Sequence, residues 1–176
     1  MADLKQDVRS VANFLKVSKI KVQVNSVTKT PVATANGISI SGLGAIVSFL
    51  ADKSGHIEIA GGDDIKHRAM IQQWLEYRVT DLDRCQGVQD VNIVLKELNC
   101  YLASRVYFVG DHLTLADLLI CYGLHRILST LTLQEKEKYI HVSRWFDHMQ
   151  HTPGVRQQQS LVPFAKNQLY LGALSH

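Results

Sequence analysis

At 176 residues, the chain is long enough for one compact domain or two closely packed units, and it needs no disulfide or metal staples. Its 19 basic and 16 acidic side chains leave a net charge of +3, too small and too scattered to read as a nucleic-acid or membrane footprint. The apolar share of 46% is that of an ordinary globular protein, yet no stretch reaches the ~20 consecutive apolar residues of a membrane span.

Three cysteines, Cys85, Cys100 and Cys121, are odd in number and lack C-x-x-C spacing. That pattern argues against a disulfide framework or zinc site and for free thiols in a reducing compartment. None of the eight histidines falls in a His-Glu-x-x-His pattern. The first residues carry no secretory apolar run, so a cytosolic protein is expected, with nuclear entry open by size.

In chain order, residues 2–17 predict a helix, with Leu4, Val8, Val11, Ala12 and Leu15 on one face. Ile20, Val22 and Val24 alternate with polar residues and predict a half-buried strand. Thr30-Pro31 interrupts, and Asn36-Gly37 marks a type I′ hairpin before a return strand on Ile38 and Ile40. A helix is predicted from about Gly42 to Lys53. The first ~55 residues thus read as a small α/β unit.

Beyond Gly61 the strand signal fades. Asp63 or Asp64 can cap a long helix carrying Ile65, Ile71, Trp74, Leu75, Val79 and Leu82. A turn at Gly87 precedes a helix with Val88, Val91, Val94, Leu95, Leu98, Tyr101 and Leu102 on one face. The next helix, about Leu115 to Leu128, is apolar nearly all round and belongs at a bundle centre. Its Gly123 costs about 1 kcal/mol against alanine, which implies a closely packed neighbour. Glu135-Lys136-Glu137-Lys138 reads as a solvated charge run. Ser143 can cap a helix bearing Trp145, Phe146 and Met149, and the segment from Val155 to about Tyr170 reads as weakly helical.

Thr114-Leu115-Ala116-Asp117 has the form of a capping box, with Leu113 and Leu118 placed as a hydrophobic staple. Together with Val106-Tyr107-Phe108-Val109-Gly110-Asp111-His112-Leu113, it resembles the signature of glutathione-transferase-type C-terminal domains. That resemblance implies a mostly α fold: a reduced thioredoxin-like subdomain over residues 1–56, then an all-helical domain over residues 57–176. Thr30-Pro31-Val32 would be its cis-proline turn. The runs Gln72 to Thr80, Tyr122 to Arg126 and Gln134 to Phe146 look most like transferase-like scaffold subunits of the multi-aminoacyl-tRNA-synthetase complex.

The enzymes of this superfamily hold glutathione with a Glu/Gln-Ser pair just before an Ala-Ile. By resemblance those places are here Gly42 and Leu43, which offer no side-chain donor. Only 30 residues precede Pro31, and they begin with a helix, so the first strand and its activating residue look lost. No tyrosine or cysteine occurs in residues 1–30. Glutathione transfer needs a stabilised thiolate. The expectation is therefore a non-catalytic chain without a cofactor, with a residual glutathione-dependent transferase as the alternative.

By resemblance, such scaffolds associate through two faces. One would place Leu43, Ile46, Val47, Ile71, Trp74, Leu75 and Arg78 on a transferase-style dimer surface, although core packing explains many of these equally well. The other would present Arg144, with His148 nearby, to an acidic residue of a partner. The implied partners are methionyl-tRNA synthetase, glutamyl-prolyl-tRNA synthetase and other subunits of that complex. The resemblance also implies a nuclear role in the DNA-damage response.

Overall fold

The computed structural model describes residues 4–18, 20–35 and 37–164. Helix α1 (Leu4–Phe14) buries Val8, Val11 and Ala12. It stops without a glycine: Lys16 takes a left-handed φ of 55°, and the Val17 N–H reaches back to the Ala12 carbonyl at 2.8 Å. That six-to-one bond closes a Schellman turn.

Strands β1 (Lys21–Val24), β2 (Pro31–Ala35) and β3 (Ile38–Ser41) form an antiparallel sheet in the order β1-β2-β3. Val22 faces Ala33, which faces Ile40, so one residue from each strand points towards the helices. The Thr30–Pro31 bond is trans, which corrects the expected cis-proline turn. Asn25 organises this corner instead. Its carboxamide oxygen accepts the N–H groups of Val27 and Thr28, and Pro31 takes the first place of a strand, where its missing donor is tolerated. The expected turn type at Asn36-Gly37 falls partly on Asn36, outside the described residues.

Helix α2 (Leu43–Ser54) buries Leu43, Ile46, Val47, Leu50 and Ala51 against α1 and the sheet. Gly55, at a φ of 77°, ends it. A 3₁₀ turn (Ile57–Ala60) leads to α3 (Ile65–Tyr77), capped by Asp64 through the Lys66 N–H at 2.8 Å. The helix does not end at Tyr77. It widens into a π turn, Arg78–Leu82, closed by the Asp83 N–H on the Arg78 carbonyl.

Helix α4 (Val88–Tyr101) buries Val94, Leu95 and Leu98, while Val88 at its start, expected on the same apolar face, is 78% exposed. Helix α5 (Leu115–Thr130) is the centre of the molecule, with every residue from Leu115 to Leu124 buried. Each fully buried leucine there contributes about 1.5–3 kcal/mol of apolar burial. The neighbour expected at Gly123 is the Arg78 side chain, and a Cβ on Gly123 would also meet Leu82 Cδ2 at 2.7 Å.

Helix α6 (Leu133–Glu137) opens with a second capping box: the Glu135 carboxylate accepts the Thr132 N–H at 2.8 Å, and the Thr132 hydroxyl accepts the Glu135 N–H at 3.2 Å. The charge run on it is not all solvated. Lys136 is 4% exposed, and its ammonium donates to the Pro163 carbonyl at 2.9 Å. Helix α7 (Ile140–His151) begins three residues before the expected Ser143 cap. Asn99 caps it from α4, accepting the His141 and Val142 N–H groups at 2.9 and 3.2 Å. The Ser143 hydroxyl instead donates to the Lys136 carbonyl.

The segment 152–164 is not helical, contrary to expectation. It runs as a clamped strap. Tyr122 donates to the Val155 carbonyl, and Gln150 bonds both the N–H and the carbonyl of Val162 at 3.0 Å. Pairing the strap's backbone with side chains removes the need for helical bonds and seats Val155 and Val162 in the core. Residues 165–170 of that expectation lie outside the described residues. Among the described residues, no helix is long and apolar enough to cross a membrane.

Candidate protein-docking surfaces

Most residues expected on the transferase-style face are inside the chain. Leu43, Ile46, Val47, Ile71 and Leu75 are each at most 3% exposed. They pack where α2 and α3 meet. Their apolar faces are satisfied within the molecule, so they present nothing to a partner.

Arg78 is also a correction. It is 1% exposed, placed inward by the π turn. Its Nη2 donates to Asp7 Oδ2 of α1 at 2.6 Å, its Nε donates to the Leu119 carbonyl of α5 at 2.9 Å, and its Nη1 pairs with Asp83. One guanidinium thus joins α1, the end of α3 and the central helix. Burial pushes the Asp83 carboxyl up, and the facing guanidinium opposes that shift. Gly123 is what makes room for this arginine.

Trp74 is the exception in that set. It is half-buried, edge-on to Tyr77, Tyr101 and Phe108, and opens onto a cleft between α3 and α4.

The capping box does more than start α5. Asp117 Oδ2 accepts the Thr114 N–H at 3.0 Å and the Thr114 hydroxyl at 2.9 Å. Its Oδ1 accepts the Phe108 N–H at 3.0 Å and the Trp145 indole N–H at 3.2 Å. Thr114 is 1% and Asp117 0% exposed. Burial raises the Asp117 carboxyl above the ordinary range, and these four donors oppose it. The four bonds tie the loop at Phe108 and helix α7 to the central helix, an inward-facing arrangement with no access for a substrate.

The second expected face is on the surface. Arg144 on α7 is exposed, and its Nη2 donates to the Leu102 and Arg105 carbonyls at 2.8 and 2.9 Å. These two bonds hold the arm across the end of α4, which limits the rotamer entropy a contact would remove. One turn on, exposed His148 meets the Tyr107 hydroxyl through Nε2 at 3.1 Å. Arg105 lies beside them, with its guanidinium 4.2 Å from the Tyr101 ring centre. This end of the bundle therefore gathers Arg105, Arg144 and His148, a surface suited to a carboxylate. Asn99 and Arg105 were missed by sequence reasoning; only three-dimensional proximity connects them to α7.

At the places that hold glutathione in the resembling enzymes, Gly42 precedes α2 and Leu43 is buried, so neither supplies a donor. Desolvation raises the thiols of Cys85 and Cys121, the opposite of what a nucleophilic sulfur requires. Ser10 lies within α1 at 3% exposure. Among the described residues, no group of acidic, histidine or cysteine side chains is placed to hold a metal ion.

A family model described as "Nuclear-export cofactor Arc1p" matches residues 67–153. Human eukaryotic translation elongation factor 1 epsilon-1 is 50% identical over 137 residues, covering 78% of each chain. The bifunctional glutamate/proline–tRNA ligase of Cricetulus griseus is 27% identical over 132 residues, which cover 74% of this chain and 8% of the ligase. Among solved structures, the ternary complex of BphK, a bacterial glutathione transferase, superposes with a TM-score of 0.71 at 16% identity, covering 88% of this chain and 92% of the other. The fold is thus of the glutathione-transferase type, with a thioredoxin-like N-terminal part and an all-α C-terminal part.

Proposed function

Because the chain belongs to the eukaryotic translation elongation factor 1 epsilon-1 family, we propose that it is a non-catalytic scaffold subunit of the synthetase assembly that feeds translation. It docks transferase-like domains of glutamyl-prolyl- and methionyl-tRNA synthetases, and the unit boundary falls after residue 56. The cytosol is its place of work; a nuclear role in the DNA-damage response belongs to the same proposal.

The observation that carries this reading is Arg144, exposed on α7 and braced by two carbonyls of its own chain. A guanidinium held in place meets a partner carboxylate with little further loss of freedom, and such charge-assisted contacts are the strong ones. The likeness to the glutamate/proline–tRNA ligase over 74% of this chain supports it too. The second docking edge is the outer side of α3 at Trp74, since the neighbours once grouped with it are core.

Co-purification of the intact chain with each transferase-like domain is the test. Both are expected to be retained. If neither is, or if the chain instead binds immobilised glutathione and turns over an electrophilic substrate, the scaffold reading fails and the transferase alternative replaces it. Direct tRNA binding would show as an affinity falling steeply with salt.

A further inference from the structure

The cleft at Trp74 has a chemistry of its own. It holds about 390 Å³ and is lined by Met70, Gln73, Trp74 and Tyr77 from α3 and by Glu97 and Tyr101 from α4. Three of these are aromatic and set at steep angles. The Trp74 ring lies 5.2 Å from Tyr77 at 72° and 4.6 Å from Tyr101 at 63°. Phe108, itself 1% exposed, packs against Trp74 at 4.6 Å and fixes it in place.

The fourth wall is a carboxylate. The Tyr77 hydroxyl donates to Glu97 Oε2 at 3.0 Å, which anchors the acid and the ring to each other. No lysine, arginine or histidine lines the cleft, and Glu97 has no ion-pair partner among the described residues. A rigid aromatic cluster around an uncompensated carboxylate attracts a cation twice over, through the ring quadrupoles and through the charge. The chain displays the first half of that chemistry at the same cluster, where Arg105 lies over Tyr101. Exposed Met70 in the cleft and Ile93, one turn from Glu97 on α4, add the apolar border a peptide contact needs.

We propose that the α3–α4 cleft is a socket for an arginine side chain of a partner polypeptide, its guanidinium stacked on Trp74 and Tyr77, since Arg105 and Phe108 already cover Tyr101, and its fork turned to Glu97. Arginine fits better than lysine because its planar, weakly hydrated head both stacks and bonds a carboxylate in pairs. The proposal deepens the reading of the α3 edge as a docking surface. It is testable without any synthetase, so its failure and the failure of co-purification are separate results.

The experiment titrates the full chain with N-acetyl-arginine amide at constant ionic strength and follows the two tryptophan indole N–H resonances. Trp145, 1% exposed, serves as the internal reference. The expected result is a saturable shift of the Trp74 signal alone, weakened at least about 5-fold by Glu97→Gln and by the neutral citrulline analogue. Thermal melts of Glu97→Gln, a change at an exposed position, establish that it is folded. Equal binding of the citrulline analogue, unchanged binding by Glu97→Gln, or a shift of neither indole overturns the socket. Preferential uptake of N-acetyl-phenylalanine amide also overturns it, in favour of an apolar occupant.

Discussion

Arg78 and Arg144 are two arginines with opposite fates. Arg78 is 1% exposed and committed on three sides to α1, α5 and Asp83. Arg144 is exposed, and both its hydrogen bonds go to backbone carbonyls of its own chain through one nitrogen. The family resemblance put both on docking faces, where arginine is a favoured hot-spot residue. What separates them is room. Gly123 opens a slot for Arg78 beside the central helix, and the π turn aims it there. No such slot exists on α7, where Arg144 follows the outer face between buried Val142 and Trp145. An arginine seated against a glycine of the buried central helix thus belongs to the core, not to docking.

The comparison can be broken at its strongest point first. Arg78→Ala removes the guanidinium that faces Asp7 and Asp83 in a largely dry site, and the expected loss is about 3–5 kcal/mol in urea unfolding. A loss below about 1 kcal/mol would mean that the arginine is not the junction it looks like. Gly123→Ala attacks the same slot from the other side. Its Cβ would press on Arg78 and on Leu82, for an expected cost of about 1–3 kcal/mol by the same assay.

Arg144→Glu is the contrasting case. It removes two bonds at the surface, so its unfolding free energy should fall by no more than about 1 kcal/mol while the far-UV spectrum stays unchanged. The smallest effect is at another surface pair, His112 and Asp111, 3.0 Å apart. The hydrogen bond to Asp111 raises the His112 imidazole above 6.5 and lowers the Asp111 carboxyl below 3.8. The histidine's stabilisation is present below its unfolded value and lost as pH rises through the raised folded one. That of the aspartate is present above its unfolded value and lost as pH falls through the lowered one. The melting difference between the wild type and Asp111→Asn should therefore be largest near about pH 5.5 and vanish by about pH 9.

Features with a local period or a local cap were legible in the sequence. The helix-strand-hairpin-helix order, the central helix from Leu115 to about Leu128, a cap at Asp63 or Asp64 and the Thr114 box all show in neighbouring residues, and Gly123 announced a close neighbour. Contacts made across the fold were not. Asp117 bonds Trp145 28 positions away, Asn99 caps α7 from 42 positions away, and Lys136 holds Pro163 from 27. None of these leaves a spacing that a one-dimensional reading detects. Lys136 shows the cost: four alternating charges look solvated until one of them is found under the strap. On the surface, the position of Arg144 on α7 was legible, but its bracing by Leu102 and Arg105 was not, because a backbone carbonyl carries no residue signature.

The most direct measurement is calorimetric binding of the transferase-like domain of glutamyl-prolyl-tRNA synthetase to the wild-type chain, Arg144→Lys and Arg144→Glu. The account predicts a loss of at least about 30-fold for Arg144→Glu, as expected when a desolvated charge pair is broken, and an intermediate affinity for Arg144→Lys. Equal affinity of all three chains would contradict it.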